Sequence, residues 1–221
     1  MKIIAHIYND YTEKFGIPRQ SGLNASLISR LVMEPDYRSA EAFRGLEAYS
    51  HLWLLWEFSE VPEDLPFSPT VRPPRLGGNT RIGVFATRSP FRPNRIGLSC
   101  VELIGMETGG EGPVLLIAGA DLMNGTPVYD IKPYLPYTDS HPDARVNKAL
   151  SRPRLSVHIP DDLATAIPPE KLPALKEMLA LDPRPAYQED PGRIYGVSFG
   201  SQNIRFRVEQ GLLYVTGIQK I

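Results

Sequence analysis

Short apolar runs, closed off every few residues by Gly, Pro, Asn or Asp, dominate this chain and restrict much of it to strands joined by turns. Residues 2–8, 27–33, 51–58, 81–86, 98–106, 114–120 and 128–132 are each rich in Val, Ile, Leu or aromatics. The run His51-Leu52-Trp53-Leu54-Leu55-Trp56-Glu57-Phe58 is nearly continuous in apolar character and reads as a central strand buried on both faces. A buried helical piece competes with it, because periodicity alone does not separate the two. In this half only residues 39–49 suggest a helix, with Phe43 and Leu46 three apart and Ser39 placed to cap the start. Many short strands and one helix predict a closed or nearly closed β-barrel rather than a βαβ array. The Gly-x-Gly-x-x-Gly and Gly-x-x-x-x-Gly-Lys patterns of nucleotide-binding α/β folds are absent.

After a polar stretch at 138–145 the pattern changes. A strand at 155–159 leads to a helix at 169–181, with Leu172, Leu175, Met178 and Leu179 at helical spacing and Pro169 near its start. Strands at 194–199, 204–208 and 212–218 follow, the last two joined by a hairpin at Gln210-Gly211. The chain therefore divides into a β-barrel domain, 1–140, and a small α+β C-terminal part, 150–221. Its 221 residues suffice for both.

Charge is informative only locally. The net charge is -1, yet six arginines and no Asp, Glu or Lys lie between Val71 and Cys100. Four of the 22 prolines fall in the same segment. The loop around Arg72-Pro73-Pro74-Arg75 and the loop Arg88-Ser89-Pro90-Phe91-Arg92-Pro93-Asn94-Arg95 thus put guanidinium forks on proline-stiffened backbone. That arrangement suits phosphate or RNA, although arginines paired with acids elsewhere would look the same. Further on, Asp130 and Lys132 alternate with Tyr129 and Ile131 and share one side of a strand, either as a salt-bridged outer face or as a catalytic pair.

Other classes find no support. One cysteine, Cys100, forms neither an internal disulfide nor a Cys-based zinc site, and it reads as a buried structural thiol. His6, His51, His141 and His158 lack metal-ligand spacing, so no metal is expected. No apolar run approaches the ~18 residues of a membrane span, and the N-terminus lacks a secretory pattern. A soluble, cytoplasmic protein is expected.

Four stretches, Phe15-Gly16-Ile17-Pro18-Arg19-Gln20, 70–79, 83–98 and 121–136, fall in the order and spacing of the TsaA-like (TrmO) family, which this sequence resembles. The C-terminal part resembles the extra domain of bacterial members, including Asp182-Pro183-Arg184-Pro185-Ala186-Tyr187. The resemblance implies a non-Rossmann β-barrel methyltransferase, acting as a homodimer. It would use S-adenosyl-L-methionine to methylate N6 of threonylcarbamoyladenosine beside the anticodon of tRNA. It also implies cofactor contacts at Pro18, Arg19, Gln20, Ser59, Glu60, Arg88, Leu98, Asp121, Leu122, Met123 and Asn124. Ser59 stands where a histidine is expected. The loop at 92–95 and the strand carrying Asp130, Lys132 and Tyr134 would face the modified base.

The residue types suit this chemistry. Displacement at a sulfonium methyl depends on alignment, and N6 between a purine and a carbonyl is a poor nucleophile. Asp130 is the candidate proton acceptor, and Arg92 or Lys132 the candidate stabiliser of charge on the carbonyl. Tyr134 joins them as a candidate catalytic residue. Candidate tRNA contacts are Arg72, Arg75, Asn94, Arg95, Arg152, Arg154, Arg184, Arg205 and Arg207. A non-catalytic RNA-binding barrel is the alternative, and a hydrolase using His51 or His141 with Asp130 ranks last.

Overall fold

In chain order the N-terminal half forms β1 (Ala5–Tyr8), β2 (Ile28–Met33), β3 (His51–Glu57), a short ribbon of β4 (Thr70–Val71) and β5 (Ile82–Gly83), then β6 (Ile96–Gly109), β7 (Gly112–Ala118) and β8 (Pro127–Pro133). This is a computed structural model of the chain, describing residues 1–73, 80–110, 112–145, 153–184, 190 and 192–221. Six of the strands close into an antiparallel barrel in the order β1-β2-β7-β6-β3-β8. β1 completes the ring by pairing with both β2 and β8, so Ala5 faces Met33 on one side and Val128 on the other. Closure removes the unpaired edges an open sheet would expose.

The barrel interior follows from the alternation of side chains along each strand. Ile7, Leu31, Leu52, Leu54, Val101, Leu115, Ile117 and Val128 all point inward and are buried. β3 is central, as expected, lying between β6 and β8, but only one of its faces is buried. Leu52, Leu54 and Trp56 fill the core, while Trp53, Leu55 and Glu57 are half-buried on the outside. A continuous apolar run here therefore signals a useful outer face rather than burial on both sides.

Two local expectations are corrected. Residues 39–49 form no α-helix but two 3-10 turns, Ala40–Phe43 and Leu46–Ala48. Gly45 separates them in the left-handed region (φ 86°), which a continuing helix cannot accommodate, and Ser39 makes no side-chain cap. Likewise only Ile82 and Gly83 of the run 81–86 are strand, and a 3-10 turn at Val84–Ala86 buries Val84.

Beyond a short α1 (Pro136–Asp139), the C-terminal part holds β9 (Ser156–His158), a short α2 (Asp161–Ala164), α3 (Leu172–Ala180), β10 (Tyr195–Phe199), β11 (Gln202–Glu209) and β12 (Leu212–Lys220). Pro173 sits in the first turn of α3, where its missing N–H is no loss. A 3-10 turn, Pro169–Lys171, precedes it. The four strands order as β10-β11-β12-β9, and Gln210 and Gly211 both take positive φ in the tight turn between β11 and β12. α3 buries Ala174, Leu175, Met178 and Leu179 in a core shared with one face of this sheet.

Tyr11 and Leu27 belong to that second core although they come from the N-terminal half. The segment between them is tied to the C-terminal part along its length. Lys171 pairs with Asp10 at 2.7 Å, the Ser198 amide donates to Glu13, and Ser26 donates twice to Glu177. Asn24 donates to both Tyr11 and the Ala174 carbonyl. Gly16 (φ 90°) lies so close that a Cβ there would be 2.6 Å from Val197. The C-terminal sheet is thus a platform beneath residues 11–27.

Within the barrel, Gly97 makes room for the Trp56 indole, since a Cβ at that position would lie 2.2 Å from Trp56 Cε2. Gly97→Ala is therefore expected to cost about 1–3 kcal/mol through overpacking. Urea unfolding should show a lower midpoint at an unchanged slope.

Candidate functional site

The loop carrying Pro18, Arg19 and Gln20 leaves the second core and lands on the barrel. Ser21 Oγ accepts the Cys100 amide proton at 3.2 Å, and the Gly22 amide donates to the Gly119 carbonyl at 2.8 Å. Pro18 is buried, Gln20 half-buried and Arg19 exposed. Arg88, arriving from the Arg-rich segment, donates a short hydrogen bond to Gln20 Oε1, while Gln20 Nε2 donates to the Arg19 carbonyl.

Arg88 also acts electrostatically on Asp121. Asp121 follows β7 and accepts a 2.5 Å hydrogen bond from Ser99, whose hydroxyl in turn accepts the Trp56 indole N–H at 2.9 Å. Burial pushes the Asp121 carboxyl above its usual range, against the opposing pull of Ser99, its own backbone and Arg88. Beyond it, Leu122 plugs the barrel core, Met123 is half-buried and Asn124 reaches solvent. Asn9 fixes this turn: its amide donates to Asn124 Oδ1 and its side chain donates to the Leu122 carbonyl. Ser59 and Glu60, just past β3, are exposed, and Lys14 reaches Glu60 from the 11–27 segment through the Glu60 carbonyl at 3.0 Å.

The expected cofactor residues thus come from five places in the chain, of which 18–20 and Arg88 are joined directly by a hydrogen bond. Four supporting residues, Asn9, Lys14, Trp56 and Ser99, escape the sequence reading. Only the Asn124-Gly125 turn hints at where they gather.

A second group surrounds the loop at 92–95. Arg92 donates to the Val84 and Thr87 carbonyls at 3.2 and 2.9 Å and lies 5.5 Å from the centre of the Phe85 ring. Asn94 is exposed. Arg95 is turned inward, pairing with Glu57 at 2.7 Å and Glu63 at 2.5 Å and donating to the Val61 carbonyl. The Tyr129 hydroxyl donates to Glu57 from the other side, and burial together with that carboxylate pushes its pKa up to about 12.

The third group lies on the outer face of β3, β6 and β8. The register aligns Asp130 with Leu55 and Leu98, and Lys132 with Trp53 and Cys100. Asp130 and Lys132 form an exposed ion pair at 3.0 Å, as the salt-bridged reading expects. Tyr134 packs 5.7 Å from Trp53, whose indole donates to Asp139. That bond and the Leu135 amide hold the Asp139 carboxyl below its usual range. Cys100 is half-buried on this outer face rather than in the core, and burial raises its thiol pKa. Leu98 lies across Leu55 from Asp130, with 54% of its surface exposed. Among the described residues, no hydrogen bond or ion pair joins Arg92 to Asp130, Lys132 or Tyr134. The four candidate catalytic residues therefore stand in two groups linked by β6 rather than in one cluster.

Of the candidate RNA contacts, Arg72 is exposed, and Arg154 is exposed while donating to the Leu23 carbonyl. Arg184, like Arg95, is turned inward, against Asp182 at 2.8 Å. Arg205 and Arg207 project from the C-terminal sheet into solvent. Arg75 and Arg152 lie outside the described residues, as do Pro185, Ala186 and Tyr187. Gly196-Val197-Ser198-Phe199-Gly200 spells the pattern of a hydrolase nucleophile elbow. It runs along β10 into a hairpin rather than from a strand into a helix, so it builds no elbow. No group of three or more His, Cys, Asp or Glu among the described residues could hold a metal ion, and no helix among them is long and apolar enough to cross a membrane.

Residues 6–140 match the tRNA-methyltransferase O N-terminal domain, and residues 153–221 match the TrmO C-terminal domain. A tRNA (adenine(37)-N6)-methyltransferase of Escherichia coli is 46% identical over 215 residues, covering 93% of this chain and 91% of its own. A protein of Pyrococcus abyssi described as a probable S-adenosyl-L-methionine-binding protein is 31% identical over 143 residues, covering 65% of this chain and 72% of its own. A crystal structure of TrmO from Pseudomonas aeruginosa superposes with a TM-score of 0.78 at 33% identity, covering 98% of this chain and 97% of that one.

The buried Asp121 carboxyl makes a measurable prediction. Its proton is held more tightly in the folded chain than in the unfolded one. Below the ordinary value of 3.8 both states keep the proton. As pH rises above that value the unfolded state releases it first, so folded stability falls until the raised folded pKa is passed. Asp121→Asn escapes that loss. Its melting temperature relative to the unsubstituted protein is expected to rise as the pH increases above the ordinary value of 3.8, as followed by thermal melts of the two proteins across a pH series.

Proposed function

Because the chain belongs to the tRNA-methyltransferase O family, we propose that it methylates N6 of adenosine 37 in tRNA with S-adenosyl-L-methionine as methyl donor. In the finer reading, the acceptor is threonylcarbamoyladenosine and the enzyme works as a homodimer in the cytoplasm. The observation that carries the cofactor assignment is the hydrogen bond between Gln20 and Arg88, residues remote in sequence, with the Arg88 charge acting on Asp121.

The residues present suit such a cofactor. Arg88 offers a cation for a carboxylate, Asp121 a half-buried acceptor for hydroxyl or ammonium groups, and Gln20 both donors and an acceptor. Met123 and the open Leu98 supply apolar surface beside them. When bound, S-adenosyl-L-methionine supplies an electrophilic methyl on a sulfonium.

The chain's own residues then have distinct tasks. The Gln20–Arg88 bond holds the loop at 18–20 against the barrel and orders the cofactor side in advance, which lowers the entropy cost of alignment. Asp130, on an exposed face, accepts the Ile131 amide and pairs with flexible Lys132, and in this reading it takes the proton leaving N6. Lys132, or Arg92 on its tied loop, stabilises charge on the urea-like carbonyl in this reading. Arg95 acts from behind, where its bonds to Glu57, Glu63 and Val61 hold the end of the loop bearing Asn94. Exposed Ile104 and Met106 on β6 provide apolar surface suited to a second copy of the chain.

Two outcomes are expected. Mass spectrometry of tRNA nucleosides should show the methylated threonylcarbamoyl adenosine in cells with the gene and its unmethylated form in cells without it. Identical nucleosides in both would favour a barrel that only binds RNA. Asp130→Asn should lower turnover at saturating substrates by about 100-fold, with the thermal shift given by S-adenosyl-L-methionine retained. Full turnover in that variant would remove Asp130 as the base.

A further inference from the structure

The C-terminal sheet uses one face to build the second core and turns the other to solvent, and that solvent face is patterned. The register places His158, Tyr214 and Arg207 in one row across β9, β12 and β11. All three are exposed. His158 lies 4.7 Å from Tyr214, and the Arg207 guanidinium sits over the Tyr214 ring at 5.8 Å from its centre. Next to this row stands Arg205, whose partners on both sides are glycines, Gly217 on β12 and Gly196 on β10. A Cβ at Gly217 would meet nothing within 4 Å, so a shallow trough flanks Arg205. A bulge between Arg205 and Phe206 creates the offset, a device that re-aims side chains where a sheet has work to do.

Charge on this face is unbalanced. Among the described residues neither Arg205 nor Arg207 has a carboxylate within ion-pair distance, and Glu209 is the one acid that β11 presents there. An arginine stacked on a tyrosine keeps its edge donors available for phosphate oxygens, and its plane offers a surface for a base.

We propose that this face binds an unpaired nucleotide of the tRNA outside the methylated position. Its base stacks on the Tyr214–Arg207 pair and in the trough, and its phosphates meet Arg205 and Arg207. The stacking surface favours a single-stranded segment over a duplex, whose bases are hidden from such contacts. The proposal rests on the reading of the chain as a tRNA methyltransferase, and it gives the C-terminal part a role in substrate recognition besides its support of residues 11–27.

The test is a binding titration of the full-length protein with fluorescently labelled tRNA from cells lacking the gene, between about 50 and about 200 mM salt. A melting curve for each variant serves as fold control. The double variant Arg205→Ala, Arg207→Ala should bind more weakly and reduce the slope of log affinity against log salt by about 1.4, at about 0.7 per phosphate contact on a single strand. Tyr214→Ala should weaken binding by about tenfold, and Tyr214→Phe should restore it, because the ring rather than the hydroxyl carries the stack. Arg207→Lys should keep the salt slope yet lose affinity, since a lysine retains the charge without the plane. Unsubstituted affinity and slope in the arginine and Tyr214→Ala variants would overturn the proposal. If the unsubstituted protein still methylates tRNA in that case, the enzymatic reading survives. A protein that neither binds nor methylates tRNA would overturn both.

Discussion

A hydrogen-bonded line running from the barrel core to its rim underlies the arrangement of this molecule. The Trp56 indole is buried over Gly97 and needs an acceptor for its N–H, because an unpaired polar group there would be costly. Ser99, two residues beyond Gly97 and on the same inner face of β6, supplies it. The Ser99 hydroxyl then donates its own proton to Asp121, so one rotor satisfies a core donor and fixes a carboxylate at the barrel mouth. The Arg88 charge acts on Asp121, and Arg88 holds Gln20. Packing inside the barrel therefore sets the geometry of groups outside it.

The C-terminal part supports the same geometry from the opposite side. Residues 11–27 would be a long surface excursion if the barrel stood alone, and such excursions are mobile unless tied down. Here Phe15 and Ile17 pack on the second core, Gly16 touches Val197, and Asp10, Glu13, Asn24 and Ser26 bond to residues beyond 170. The loop at 18–20 is thereby clamped between two cores. Its ordering is settled at folding rather than at ligand binding, which is how pre-organisation raises affinity.

Much of this was legible in the sequence, and the parts that were not share a physical reason. Short apolar runs bounded by turn residues located most strands, and their number with so few helices indicated a barrel. The Arg-rich, proline-stiffened segment marked Arg88 and Arg92. Missed features depend on contacts between distant residues. Nothing local to Ser99 announces that it joins Trp56 to Asp121, and nothing local to Arg95 says that its guanidinium turns inward to Glu57 and Glu63. The outer face of β3 looked like core because Trp53 and Leu55 are as apolar as Leu52 and Leu54, and only the register with Lys132 and Asp130 shows which side faces out. At 39–49 a single φ of 86° at Gly45 outweighed helical spacing.

Purified protein supplied with S-adenosyl-L-methionine bearing a deuterated methyl, and with tRNA from cells lacking the gene, offers the most direct measurement. Nucleoside mass spectrometry should find the deuterated methyl on N6 of the adenosine beside the anticodon and on no other nucleoside. Label on a different nucleoside, or no label despite bound cofactor and bound tRNA, would contradict the assignment of this barrel as a methyltransferase acting at that position.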